Sequence, residues 1–310
     1  MDNKMVGIWM YQNGGGDVLQ EKLVTKLHRH DYQTVTGLDL RHATANRDGI
    51  FCNGTNMQEL GLFFTYNAGQ QSAQQVYMYS VLDDYLPIIN NYAAFTLSED
   101  KFMTQALLND CSVPVTDFYV TPLENAEILH EVLHLWGGKL VYKPVDGWGG
   151  RGLVKVETPD ALDALISQLR GDAKYPSIYV ERFVDYDGTD FRIDVVDGQF
   201  VGCYGRRAPV GEWRTNVTNG GTVFMREANA TVVDLACYAA RVAGLDIAGV
   251  DLIYDREHER YVVLEINGIP AFATPEQEAM GLDFNERKLD LIVALIEQKL
   301  DGECSHDQTA

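Results

Sequence analysis

Apolar positions change period along the first 96 residues. Residues 6–10, 34–38 and 50–53 are short apolar or β-branched runs, which predict strands. After the first run, Leu19, Leu23 and Leu27 recur every fourth position, the spacing of one helix face. Gly14-Gly15-Gly16 predicts the turn into that helix and Asp17 its N-cap. A further helix is predicted across residues 70–86. Strands and helices in alternation predict an α/β unit. A triple glycine ahead of a helix can turn the chain or hold an anion at the helix end, and both readings stay open.

The pattern changes at Ser98. Ser98-Glu99-Asp100-Lys101 predicts an N-cap at Ser98 and a first turn that contains Lys101. Thr121-Pro122-Leu123-Glu124 has the form of a capping box, and Thr158-Pro159 and Thr274-Pro275 repeat the proline at the first helical position. Strand-rich stretches at 139–156, 177–206 and 246–267 lie between these isolated helices. Strands interrupted in this way predict an α+β module rather than a continued parallel sheet. The chain therefore divides into an α/β domain over 1–96, an α+β module over 97–302 and a polar tail over 303–310, with fraying expected from Asp301 onward.

Composition narrows the function classes. The 310 residues are 46% hydrophobic and 23% charged, enough to fill a sizeable core. Lys and Arg number 25 against 45 Asp and Glu, and the net charge of −20 repels phosphate backbones and anionic lipids. Nucleic acid and membrane are excluded as partners on that basis. The residues after Met1-Asp2-Asn3-Lys4 are too few and too soon interrupted for a signal peptide. Cysteines 52, 111, 203, 237 and 304 are odd in number, scattered and free of CxxC spacing. That usage fits a reducing compartment, so a cytoplasmic protein is expected.

Two motifs suggest chemistry that their surroundings deny. Gly147, Gly149 and Gly152 spell GxGxxG, but Leu153-Val154-Lys155-Val156 continues as strand where a dinucleotide site needs a helix. A strand, glycine loop and strand still let backbone N–H groups approach phosphate, with Lys143 and Arg151 supplying charge. A plain flexible hairpin is the bland alternative. His130-Glu131-Val132-Leu133-His134 is a HExxH, yet Leu140 stands where the third zinc ligand belongs. A packing helix from Thr121 to Gly137-Gly138, with Ile128, Val132 and Leu135 inward, explains those histidines better than zinc does.

The stretch 246–267 predicts a hairpin. Folding it about residue 258 places Asp251 opposite Glu265, with Asn267 on the same face and Val250, Leu252, Leu264 and Ile266 on the other. Carboxylates directly opposed on a sheet need something positive between them. Two carboxylates and an amide oxygen are hard ligands suited to Mg²⁺. A solvated strand face is the structural alternative. Lys101 opposes the dipole of its helix and is therefore expected to point at an anion. Arg192, Arg206, Arg207 and Arg214 cluster in a chain whose acidic residues far outnumber its basic ones, as carboxylate or phosphate recognition requires; an ion pair is the simpler reading for Arg207.

In order and spacing these motifs resemble the ATP-grasp ligases, most closely the RimK-like amino-acid ligases, over nearly the whole chain. The resemblance runs from Leu86-Pro87-Ile88-Ile89-Asn90 through Lys101 and the Lys143 glycine loop to the hinge-like Tyr179-Val180-Glu181-Arg182-Phe183-Val184. It continues with Asp190-Phe191-Arg192, Gly211-Glu212-Trp213-Arg214-Thr215-Asn216 with Gly220-Gly221, Ala248-Gly249-Val250-Asp251 and Glu265-Ile266-Asn267. It implies an α/β domain ahead of an α+β ATP-grasp module with a mobile β-rich lid at about 138–182.

The resemblance also implies roles. Lys101 and Lys143 bind phosphates of ATP, and Gly149, Gly150, Arg151 and Gly152 close over them. Glu181 and the Phe183 backbone hold adenine, and Arg192 belongs to the nucleotide site. Asp251, Glu265 and Asn267 hold Mg²⁺, with Mn²⁺ as a substitute, while Arg206, Arg214 and Asn216 face the γ-phosphate and the acyl group. The implied reaction joins a small carboxylic acid to an amine through an acyl phosphate, with an amino acid such as glutamate as one substrate. Self-association into a homo-oligomer stays open. A nucleotide-binding regulator of the same fold and a HExxH zinc peptidase are the alternatives. Gly268 to Glu276 departs from the family's usual N-A-S-P-G continuation, which puts glutamate in doubt but not the chemistry.

Overall fold

The structure is a computed structural model that describes residues 4–67, 72–147, 149–171 and 176–303. The chain opens with β1 (Met5–Met10), α1 (Gly16–Arg29) and β2 (Gln33–Thr36). β3 (Thr44–Asn46), β4 (Gly49–Cys52) and β5 (Thr55–Asn56) follow, then β6 (Leu62–Tyr66), α2 (Ala73–Asp83) and β7 (Ile88–Ile89). A parallel sheet runs in the order β2-β1-β6-β7. The strand expected at 50–53 is β4, which lies instead in a separate antiparallel sheet, β3-β4-β5. Its place beside β1 belongs to β6, whose five residues are all buried, as a strand covered on both faces must be.

Helix starts differ from expectation where a neighbour decides the backbone. Gly15, at φ 88°, caps α1 in place of Asp17, which sits inside the first turn. The described part of the helix expected across 70–86 starts after Ser72, whose side chain caps it; residues 70 and 71 lie outside the described residues.

After β7 come α3 (Tyr92–Ser98) and α4 (Lys101–Asp110). Ser98 closes α3, so Asp100 and not Ser98 is the N-cap of α4, with Lys101 its first residue. β8 (Phe118–Pro122), α5 (Leu129–Leu135), β9 (Leu140–Tyr142), β10 (Val154–Val156), α6 (Pro159–Arg170) and β11 (Ser177–Arg182) form a sheet β10-β9-β11-β8 with its two helices packed on it. The capping box at Thr121 does not form, because Thr121 is extended in β8 and pairs with Ile178. Val132 faces the core but Leu135 is 78% exposed, contrary to the inward stripe. The shorter α5 turns its last residue away.

A five-stranded antiparallel sheet contains β12 (Thr189–Val196), β13 (Gln199–Arg207) and β14 (Thr222–Phe224). After α7 (Ala230–Val242) it gains β15 (Ile247–Asp255) and β16 (Arg260–Asn267), in the order β14-β13-β12-β15-β16. Phe191, Ile193 and Val195 point into a core shared with Val232, Ala236 and Ala240 of α7. The alternating partners on β12, Asp190, Arg192 and Asp194, therefore face the opposite side. α8 (Pro275–Ala279) starts in a full capping box of Thr274 and Gln277. α9 (Asn285–Glu303) packs Leu289, Ile292 and Ile296 with Leu23 and Leu27 of α1 over the first sheet. Asp301 and Gly302, expected to fray, are helical, and residues 304–310 of the expected tail lie outside the described residues. Among the described residues no helix is long and apolar enough to cross a membrane.

Candidate active site

The polar face of the five-stranded sheet is built by register. Tyr204, Arg192, Asp251 and Glu265 sit side by side across β13, β12, β15 and β16. The Asp251–Glu265 pairing expected from the hairpin is present, with Asn267 opposite Gly249. A β-bulge shifts the register between Asp251 and Leu252, which pairs with Val263. The extra residue, Leu264, does not join the core face as expected; it lines the cleft beside Glu265.

Positive charge compensates the opposed carboxylates. Asp251, only 3% exposed, accepts from Arg192 Nε at 2.5 Å and Nη2 at 3.1 Å, and Arg206 Nη2 lies 2.9 Å away. Burial would raise the Asp251 pKa, but the two guanidinium groups outweigh it and hold the carboxyl below its usual range. Burial likewise opposes the charge on Arg206, and Asp251 and Asp190 more than offset it. Asp190 grips Arg206 through both oxygens and also accepts from Thr215. Arg192 does not line the cleft; it lies beneath it as the partner of Asp251.

Two lysines converge on the glycine loop, which joins the antiparallel pair β9 and β10. Lys143 Nζ is 2.6 Å from Glu181, which also accepts from Thr116 and Tyr179 and is 2% exposed. Lys101 Nζ donates to the Gly147 carbonyl and lies 3.3 Å from Glu265. The Gly149 carbonyl accepts from Thr218 and Asn219, so the loop rests on the segment that carries Asn216. At Gly150, with φ 73°, a Cβ would come within 2.5 Å of Asn216 and Asn219, so only glycine allows this approach. Trp148 of the same motif lies outside the described residues.

The walls are aromatic and apolar. Phe183 packs edge-on to Trp213, and Lys155 Nζ sits 4.2 Å from the Phe183 ring centre. Tyr186 donates to the Trp213 carbonyl. Arg214 pairs with Glu212 at 2.7 Å, and that hydrogen bond holds the Glu212 carboxyl at about 2. One cleft brings together Lys101, Lys143, Gly150, Arg151, Glu181, Phe183, Arg206, Arg214, Asn216, Asp251 and Glu265. Gly149, Gly152 and Asn267 are outside its lining, although the Asn267 amide donates to Gly249. Sequence reading missed Thr116, Tyr186, Trp213 and Ile253 as lining residues. Ile253 was legible: it follows Asp251 by two positions on the same strand face. Arg207 stacks on Phe224, and among the described residues it forms no ion pair such as was expected.

Other charged groups are structural. His130 pairs with Asp163 at 3.0 Å. Among the described residues, Asp255, Glu257 and His258 stand close enough to share a metal ion, but Arg182 reaches all three, at 2.5–3.1 Å.

The donor set fits a nucleotide and a hard divalent cation. Two lysines and glycine backbone suit phosphate, and Asp251 and Glu265 offer oxygen ligands on one face. Residues 98–292 match the family described as RimK-like ATP-grasp domain. A probable alpha-L-glutamate ligase of Shewanella halifaxensis is 31% identical over 207 residues, 66% of this chain but 43% of that one. One of the same name from Thioalkalivibrio sulfidiphilus is 34% identical over 213 residues, 68% of this chain and 67% of the relative. The chain thus matches less than half the length of the first relative. The ATP-grasp ligase PsnB, solved with a minimal precursor, shares the fold at TM-score 0.68 and 19% identity, over 95% of this chain and 99% of that one. With its glycine loop, paired lysines and opposed carboxylates in one cleft, the chain belongs to the RimK-like ATP-grasp family.

Proposed function

We propose that the chain is an ATP-dependent carboxylate–amine ligase that forms an amide or peptide bond and releases ADP and phosphate. The observation that carries this reading is the single cleft in which Lys101, Lys143 and the glycine loop face Asp251, Glu265 and Arg206. The names of the curated relatives support an amino acid, glutamate among them, as one substrate. The acidic surface and cysteine usage support a cytoplasmic setting.

In this reading Lys101 and Lys143 neutralise the nucleotide phosphates, while backbone N–H groups of the glycine loop orient them. Asp251, Glu265 and Asn267 would hold Mg²⁺, which supplies electrostatic stabilisation of the transferring phosphoryl. The acid's carboxylate oxygen attacks the γ-phosphorus, the bond to ADP breaks, and an acyl phosphate forms. Arg206, fixed by Asp190, is preorganised to stabilise the charge that develops. The amine then attacks the acyl carbon, phosphate leaves, and the nitrogen gives up a proton. The Gly149 contacts to Thr218 and Asn219 support a closed loop that keeps water from the acyl phosphate. Phosphate release over a panel of amino acids and amines, with mass spectrometry of products, tests the proposal. Release that depends on both an acid and an amine is expected; ATP binding without turnover on any pair would point to a regulator.

A further inference from the structure

The carboxylates assigned to the cation already have cationic partners of the chain's own. Two of the partners cannot swing away without breaking two or more hydrogen bonds to carboxylate. Arg192 is engaged by Asp251 through two nitrogens, and Arg206 is held by both oxygens of Asp190 as well as facing Asp251. The third can. Lys101 contacts Glu265 from the first residue of α4, on a flexible four-carbon stem. Its second partner is the carbonyl of Gly147, in the glycine loop itself.

Charge arithmetic sets the consequence. Asp251, Glu265 and Asp190 face the three cations Lys101, Arg192 and Arg206, and the carboxyl of Glu99 adds to the acidic side beside Lys101 and Glu265. A bare divalent cation arriving at this cluster meets Lys101 on the very carboxylate it needs. Nucleotide phosphate offers Lys101 a stronger anionic partner within reach of the same loop. Glu265 is then released on the face it shares with Asp251, next to new phosphate oxygens.

We propose that Lys101 is an internal counter-ion that occupies the cation's place on Glu265, so that the site captures a divalent cation only together with nucleotide. This rests on the ligase reading above but makes a separate claim about binding order. One residue thereby serves two anions in turn, Glu265 before the nucleotide arrives and phosphate after it. The advantage is physical: an acidic protein with a standing pair of opposed carboxylates would otherwise collect free cations in a geometry set without the phosphates.

The experiment uses Mn²⁺ as the probe, with the free-ion electron paramagnetic resonance signal as readout. The full chain is titrated without nucleotide and with ADP, as wild type, Lys101→Met, Lys101→Arg and Lys101→Met with Glu265→Gln. Wild type and Lys101→Arg should take up Mn²⁺ weakly alone, and wild type more tightly with ADP. Lys101→Met should bind Mn²⁺ alone roughly tenfold more tightly or better, because one repelling charge is gone from the site. Adding Glu265→Gln should remove that gain, which separates the site from the acidic surface. ADP affinity, read by calorimetry, should fall in Lys101→Met. If wild type binds Mn²⁺ and ADP together but Lys101→Met leaves Mn²⁺ affinity without nucleotide unchanged or weaker, the counter-ion proposal is wrong while the ligase reading stands. Failure of wild type to bind ADP under any cation would overturn both.

Discussion

At the scale of single residues, the site is a set of charges whose partners are already chosen. Asp251→Asn and Glu265→Gln each remove one charge from the expected cation shell, so both should abolish ADP formation and weaken Mg-ATP binding; full activity in the double variant would refute the hairpin assignment. Arg214 differs from Arg206 because its partner, Glu212, is a partly exposed neighbour and not a buried clamp. The guanidinium is therefore available to a forming acyl phosphate once Glu212 yields it. Hydroxylamine with ATP and the acid substrate should give a hydroxamate without the natural amine. Arg214→Ala should lose that product by a factor of roughly 10², and Arg214→Lys should restore little, since an ammonium cannot bridge two oxygens. Normal hydroxamate from the alanine variant would leave Arg214 a packing role beside Trp213.

At the scale of elements, β12 and β15 are held together by charge on one face and apolar packing on the other. The Asp251 carboxyl is held below the ordinary aspartate value of about 3.9, which sets the sign of its pH dependence. Its ion pairs contribute fully above that ordinary value, and the contribution is lost as pH falls through the lower folded value. The melting difference between wild type and Asp251→Asn should therefore stay constant above about pH 4 and shrink below it. A difference that grows on acidification would mean the arginines do not stabilise the charged form. On α5, His130 has a structural partner in Asp163 and no ligand geometry with His134 is needed to explain it. Purified His130→Ala and His134→Ala should keep nearly full activity, and metal analysis of wild type should find no stoichiometric zinc. Zinc lost together with activity would overturn this.

At the scale of the whole molecule, one loop ties the parallel sheet, the five-stranded sheet and the last helix together. Lys288 of α9, 0% exposed, bonds Asp194 of β12 at 2.8 Å and the carbonyl of Pro270 at 2.9 Å. Tyr66 of β6 also donates to Pro270, the Tyr11 hydroxyl accepts from the Phe272 N–H, and Asn285 bonds both backbone groups of Ala273. This is the segment that follows Asn267 and leads into α8. Burial lowers the Lys288 pKa, and Asp194 works against that. Lys288→Met would strand Asp194 without its counter-charge, at a cost of roughly 3–5 kcal/mol by the general behaviour of broken buried pairs. Chemical denaturation should show that loss. A change within about 0.5 kcal/mol, the ordinary range for a surface position, would refute the clamp.

How much of this was legible follows from the range of the forces involved. Strand alternation around Asp251 and Glu265 gave their pairing, because a two-residue period acts locally and the hairpin closes on itself. Glycines between two apolar runs gave the loop between β9 and β10 for the same reason. The bulge that turns Leu264 into the cleft left no sequence mark, since it depends on how the strand must bend beside its neighbours. Caps were misplaced at Ser98 and Thr121 because α3 and β11 lay claim to those backbones first. The exchange of β4 for β6 in the parallel sheet has the same origin: both runs favour strand, and the apolar layers on the two sides decide which one is buried. The sequence by itself thus determined the order of the charged and glycine motifs along the chain and the pairing of Asp251 with Glu265. Tertiary structure alone decided their partners, placing Arg192 beneath Asp251 and Lys101 on Glu265, because ion pairs form between groups that only folding brings within a few ångströms.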